Sequence, residues 1–415
     1  MMRGAILMVL IVAASFEMVA IARAQEADVV TLDELLERVE RAPRVRVQSA
    51  LAEAFHGDVR AAGQHPNPTL SYEFAGIVGG IETNGGSQQE IRLSQPLMWP
   101  GQIDRRVDAA RARLDLAHAE LDALRAALGL EVRRAFIELL AAQERSVVLS
   151  EAEASMERLA EIVRGRAQAG AGRRWDVVRI EGELASVRAE RDAASAEEAA
   201  SAGRIAALLG VPGWFPRAGG KLSDFAIPDT ELEERPSHPL LETARRGRVV
   251  AEARLAAERI LAIPPIELSL GTVISTDPEG GYLLGGVSMP LPFFDANQGA
   301  IERAEREVDA AETTEDATRI ELASALARAR RVIAHRREAL SAFERGVVER
   351  LPILGEMAEF AYRGGEVEVF EVIDAVRAAR ELRKERIDRE EALRLAEVDA
   401  MEAATGESTM RARAR

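Results

Sequence analysis

A short phrase recurs 194 residues along this 415-residue chain, where Leu93-Ser94-Gln95-Pro96-Leu97 returns as Val287-Ser288-Met289-Pro290-Leu291. A second phrase recurs at a spacing of 195, with Gly170 and Trp175-Asp176-Val177-Val178 returning as Gly365 and Phe370-Glu371-Val372-Ile373. Around both, helix-like and strand-like segments follow in the same order. A duplication of this size commits the chain to a pseudo-symmetric architecture in which each half supplies one copy of a single unit.

The first unit spans residues 25–210. Thr31–Ala62 reads as a helix, with Thr31 as N-cap and Glu34 three residues on to complete a capping box. His65-Pro66-Asn67-Pro68 stops it, because proline lacks a donor and pushes its predecessor out of the helical region. Two strands follow, Thr69–Val78 and Gln89–Leu97, around a glycine-rich turn. A helical pattern then runs from 101 to 168, breaks over 169–173 and resumes to 210. Residues 211–237, with four prolines, read as a linker. The second unit, 238–405, repeats the order: a helix over His238–Ile263, strands Ile266–Ile274 and Tyr282–Leu291, a helix over 298–363 interrupted at Leu351-Pro352, a break over 364–368, and a helix to 405. Residues 406–415 are a tail.

Leu114, Leu121, Leu128, Ala135, Ala142, Leu149, Met156 and Val163 fall seven apart, the signature of a left-handed coiled coil. The composition agrees: 47% hydrophobic but only 4% aromatic, with 30% charged, as in long Ala/Glu/Arg/Leu helices. At 1.5 Å per residue the 101–168 helix would span about 100 Å. Two shorter helices stacked end-on would match that length, giving a uniform helical layer. A charge at Leu128 or Ala142 should cost several kcal/mol, roughly. Arg145 lies off the seam, where an ion pair is worth about 1 kcal/mol or less.

The strands alternate. Leu70, Tyr72, Phe74, Ile91, Leu93, Leu97, Leu268 and Leu270 share apolar faces against Ser71, Glu73, Glu90, Arg92, Glu267 and Ser269, the pattern of a sheet with one greasy side. Lengths near ten residues suit a tilted barrel crossing. Four strands cannot close a barrel, and open edges are not tolerated in lipid, so several chains must combine. Arg3, the apolar run Ala5–Ala14 and Ala22-Arg23-Ala24 read as a signal peptide over 1–24, which predicts export.

Other classes recede. With no cysteine, thiolate metal sites, disulfides and a thioether lipid anchor have no attachment point. The five histidines have no metal-ligand spacing and read as helix-surface residues. No catalytic constellation emerges, so neither an enzyme nor a cofactor is expected. A net charge of −15 disfavours nucleic acid.

The chain resembles the TolC-type outer-membrane efflux family. The resemblance is carried by Asn67-Pro68-Thr69-Leu70, the strand-to-helix passage Leu93–Gly101, its partner Val287–Phe294, and Tyr362-Arg363-Gly364-Gly365 with Val372-Ile373-Asp374. It implies a mainly α fold with a small β part: a homotrimer in which twelve strands form one barrel in outer-membrane lipid and helices form a periplasmic tunnel. It also implies an exit duct working with a periplasmic adaptor and an inner-membrane transporter, or in type I secretion. By the same resemblance Asp176, Glu371 and Asp374 would line the constriction, and Gly170, Gly172, Gly364 and Gly365 would turn the tips where the adaptor docks. Some members carry a gating arginine where this chain has Val367, leaving Arg173, Arg174 and Arg363 as the tip lock. A periplasmic coiled-coil scaffold or adaptor shares the heptads but has no use for four amphipathic strands.

Overall fold

The computed structural model describes residues 28–76, 87–233, 237–275, 280–346, 357, 360–362, 364 and 366–406. The expected signal peptide, the interruption at Leu351-Pro352 and most of the tail lie outside them. In order the elements are β1 (Val29–Val30), α1 (Leu32–Val39), α2 (Pro43–Ala62), β2 (Thr69–Gly76), β3 (Ser87–Leu97), α3 (Gln102–Gln168), α4 (Arg174–Leu209), β4 (Arg217–Ala218), α5 (Pro239–Leu261), β5 (Ile266–Ser275), β6 (Tyr282–Ser288), α6 (Gln298–Gly346) and α7 (Val369–Thr405). The fold is mainly helical with a small strand part.

α3 runs through 67 residues without a break, about 100 Å. Seven of its eight seam residues, Leu121 to Val163, are buried and Leu114 is half-buried. Shorter helices lie along it end to end. α4 finishes at Gly210, and a Cβ there would fall 2.4 Å from Pro43 Cγ at the start of α2. α7 finishes at Gly406, where a Cβ would meet Pro239 Cδ and His238 Nε2 of α5 at 2.8 Å. Each junction sets a left-handed glycine (φ 70° and 61°) against a proline in the first turn of the next helix, the residue types that suit a C-terminal stop and an N-terminal start.

Three expectations change here. The Thr31–Ala62 helix is two helices: the Thr31 capping box forms, with Glu34 N–H donating to Thr31 Oγ1 at 3.3 Å and Thr31 N–H to Glu34 Oε2 at 2.9 Å, but Ala42 is extended (ψ 139°). Pro43 forces that by its ring and its missing donor. His238 is buried, not a surface residue. Its Nδ1 accepts from Leu240 N–H at 3.2 Å, so Nε2 carries the proton and donates to the Glu402 carbonyl at 2.8 Å.

The third concerns Arg145, which reaches out from α3 beneath its neighbours with only 14% of its side chain exposed. It bridges Glu197 of α4 at 2.9 Å and Asp388 and Glu391 of α7 at 3.0 and 2.7 Å. The heptad rule identifies the apolar seam but not this polar one beside it, where a single guanidinium ties both repeats together.

The segment between the repeats is wedged into the core. β4 pairs in parallel with β1, and two 3-10 turns, Leu222–Phe225 and Asp229–Leu232, place Leu222, Ile227 and Leu232 among Phe136, Leu140 and Met401. Their backbone is satisfied from outside: Leu222 N–H donates to Glu144 at 2.8 Å and Ile227 N–H to Glu397 at 3.2 Å. Glu397, itself buried, is held by Arg394 and Arg337 at 2.8 and 2.9 Å, so its charge is compensated.

β2-β3-β5-β6 form one antiparallel sheet. The two hairpins, one from each repeat, join through β3 and β5.

The sheet face and the helix tips

Register sets apolar rows across the sheet. Leu70 pairs with Leu93 and Leu93 with Leu270; Tyr72 pairs with Ile91; Leu268 pairs with Val287. Leu70 is 71% exposed, Leu270 64%, Leu283 80% and Val287 72%. The opposite face carries Glu73 and Glu90 as partners, the Glu90–Arg92 ion pair, and Ser94 beside Ser269. β2 and β6 are outer strands, each with one edge unpaired in the sheet order. A contiguous apolar face of this kind marks a surface meant for lipid or a partner. No helix among the described residues is long and apolar enough to cross a membrane.

At the other end of α3 the chain turns back through Ala169–Arg173. Gly170 sits at φ 74°, and a Cβ at Gly172 would press on Ala167 N at 2.9 Å, so both glycines are needed for the turn. Met156, Leu159, Val163, Ile180 and Leu184 from this hairpin pack with Tyr362, Val369, Val372 and Ile373 of the second repeat. The two tips therefore share one apolar core.

Val367 packs against that core, which accounts for its apolar character. Asp176 is half-buried in the first turn of α4, and Glu371 and Asp374 are exposed on the first two turns of α7. Glu371 also has a structural task, since its Oε2 accepts from Glu368 N–H at 3.0 Å. Arg173 approaches Glu368 of the other repeat at 3.7 Å, both side chains well exposed. Arg174 and Gly364 are exposed; Arg363 and Gly365 lie outside the described residues.

One tip residue escaped the sequence reading. Arg166 donates to the Tyr362 carbonyl at 2.7 Å, and its guanidinium lies 4.9 Å from the Tyr362 ring centre, joining the tips across the repeats. Burial pushes the Tyr362 phenol above its ordinary range, with Arg166 pulling down and Asp176 pushing up. The available signal was a cation in the last turn of α3, beside the helix's negative end.

The sequence model of the outer membrane efflux protein family matches residues 35–211 and, separately, 232–407. Among curated relatives, the cobalt-zinc-cadmium resistance protein CzcC of Cupriavidus metallidurans is 26% identical over 69% of this chain and 69% of its own length. CyaE of Bordetella pertussis is 28% identical over 58% of this chain, which spans little more than half, 54%, of CyaE. Among solved structures, a membrane protein from Pseudomonas aeruginosa superposes with a TM-score of 0.74 at 21% identity, covering 90% of this chain and 92% of that one. With the duplicated hairpins, the greasy sheet and a family match over most of its length, the chain belongs to the outer membrane efflux protein family.

Proposed function

We propose that three copies of this chain form an outer-membrane conduit, with β6 of each copy pairing to β2 of the next and the helical columns enclosing a tunnel. The observation that carries this reading is the four-stranded sheet, apolar on one face, polar on the other and open at both edges. Lipid tolerates such a sheet only when its edges are closed. The signal-peptide pattern and family membership support delivery to the outer membrane, with the helical part in the periplasm. The conduit serves as exit duct for an inner-membrane transporter coupled through a periplasmic adaptor that docks at the tips, in a tripartite pump or type I secretion.

In this reading the tips are the gate. Threefold symmetry turns Asp176, Glu371 and Asp374 into rings of carboxylates that attract cations and repel anions. Like charges push such rings apart, so Arg173, Arg174 and Arg363 supply the closing contacts. The test is single-channel recording on the reconstituted protein. Glu371→Gln with Asp374→Asn should lower cation preference and relieve block by multivalent cations, with glutamine retaining the helix cap. Removing the three arginines should raise conductance. Wild-type selectivity and cation block in the acidic double variant would show that these carboxylates do not line the constriction.

A further inference from the structure

Three metal-ligand side chains, distant in sequence, meet on the surface between α2 and α3. Glu53 and His56 stand one turn apart on α2 and face His118 on α3. One ligand atom from each lies within 4.8 Å of the other two. His56 Nε2 is 3.7 Å from Glu53 Oε2, and the two imidazole centres are 6.3 Å apart with planes inclined at 58°. All three side chains are exposed, so an ion can reach them from solvent.

We propose that Glu53, His56 and His118 form a binding site for a divalent transition-metal ion of the zinc, nickel and cobalt class. Imidazole selects this class over magnesium and calcium, which take all-oxygen shells. Ligand atoms around a tetrahedral zinc ion lie about 3.3 Å apart, given bonds of about 2.0–2.1 Å. The three side chains must therefore close by at most about 1.5 Å, a movement that rotation of exposed side chains provides. Nothing in the backbone has to shift, because α2 and α3 pack along one another and Glu53 and His56 share a helix face. Three protein ligands leave a position for water or an exchanging ligand, as in open zinc sites.

The cluster is not a by-product of the duplicated scaffold. Counted from Pro239 as from Pro43, the second repeat has Val249 and Glu252 in place of Glu53 and His56. Counted from the start of α6 as from α3, it has Thr314 in place of His118. The scaffold thus makes the same helix pair without these ligands. Linear spacing hides the site, because His118 comes from a different helix. The inference is independent of the gate and of the conduit reading.

The experiment is calorimetric titration of Zn2+ into the untagged, detergent-solubilised full-length protein near neutral pH. The expected result is saturable binding of one ion per chain, weakened about tenfold or more by His56→Ala and by His118→Ala, in line with the sensitivity of metal sites to their surroundings. His118→Gln should behave like His118→Ala, and His335→Ala, on the exposed face of α6, should bind as wild type. No saturable binding by the wild type, or unchanged affinity in folded His56→Ala and His118→Ala, would overturn the assignment.

Discussion

Arg145→Glu is expected to destabilise the protein by about 3–5 kcal/mol, the range for removing one partner from a buried charge cluster. That rivals the effect of a charge on the apolar seam at Ala142. The substitution removes the guanidinium that bridges Glu197, Asp388 and Glu391 and adds a fourth carboxylate to them. Burial already pushes the Glu391 carboxyl above its ordinary range, while the hydrogen bond and charge of Arg145 pull it back. Without that cation it rises further. A carboxyl whose folded pKa lies above its unfolded value contributes stability that is present at low pH and lost as pH rises through the folded value. The variant's deficit should therefore be smaller on the acid side and widen as pH rises. Thermal denaturation of wild type and variant across a range of pH in detergent checks it. Arg306→Glu, which breaks an exposed pair with Asp309, should change stability by no more than about 0.5 kcal/mol at any pH.

Gly210→Ala should cost about 2–5 kcal/mol, combining about 1–2 kcal/mol for a left-handed non-glycine residue with about 1–3 kcal/mol for overpacking. The new methyl would sit 2.4 and 2.5 Å from two ring carbons of Pro43, and a proline ring cannot rotate away. Gly406→Ala meets the same obstacle in His238 and Pro239. Gly213→Ala isolates the backbone part: φ is 76° there, but nothing lies within 4 Å, so only the conformational cost should appear. The losses of unfolding free energy in the three variants should rank Gly210 and Gly406 together, well above Gly213. Equal effects at all three positions would mean that the helices are not held end to end at these joints.

The long-range order of this fold is legible because it is written twice. The matched phrases place two hairpins and two tips, the heptads give α3 its buried seam, and alternation in the strands gives the sheet its two faces. What stayed hidden depends on contacts between segments remote in sequence. Pro43 gives a local signal of the break between α1 and α2, but its role as the stop against which α4 ends emerges only from Gly210. Arg145 looks like an ordinary surface arginine until α4 and α7 bring up their carboxylates. Arg166 acts on the other repeat, 196 residues away, and His238 is buried by the end of α7. At the tips the candidate carboxylates were identified by resemblance. The structure adds that Glu371 caps its own helix, while the proposed ring depends on an assembly of chains.

That assembly can be counted. The mass of the detergent-extracted protein, by native mass spectrometry or light scattering with the detergent subtracted, should correspond to three chains, with chemical cross-linking stopping at the same limit. The sheet's apolar face and two open edges are tolerable in a membrane only when neighbouring copies complete the barrel. A monodisperse single chain that remains soluble without detergent would contradict it.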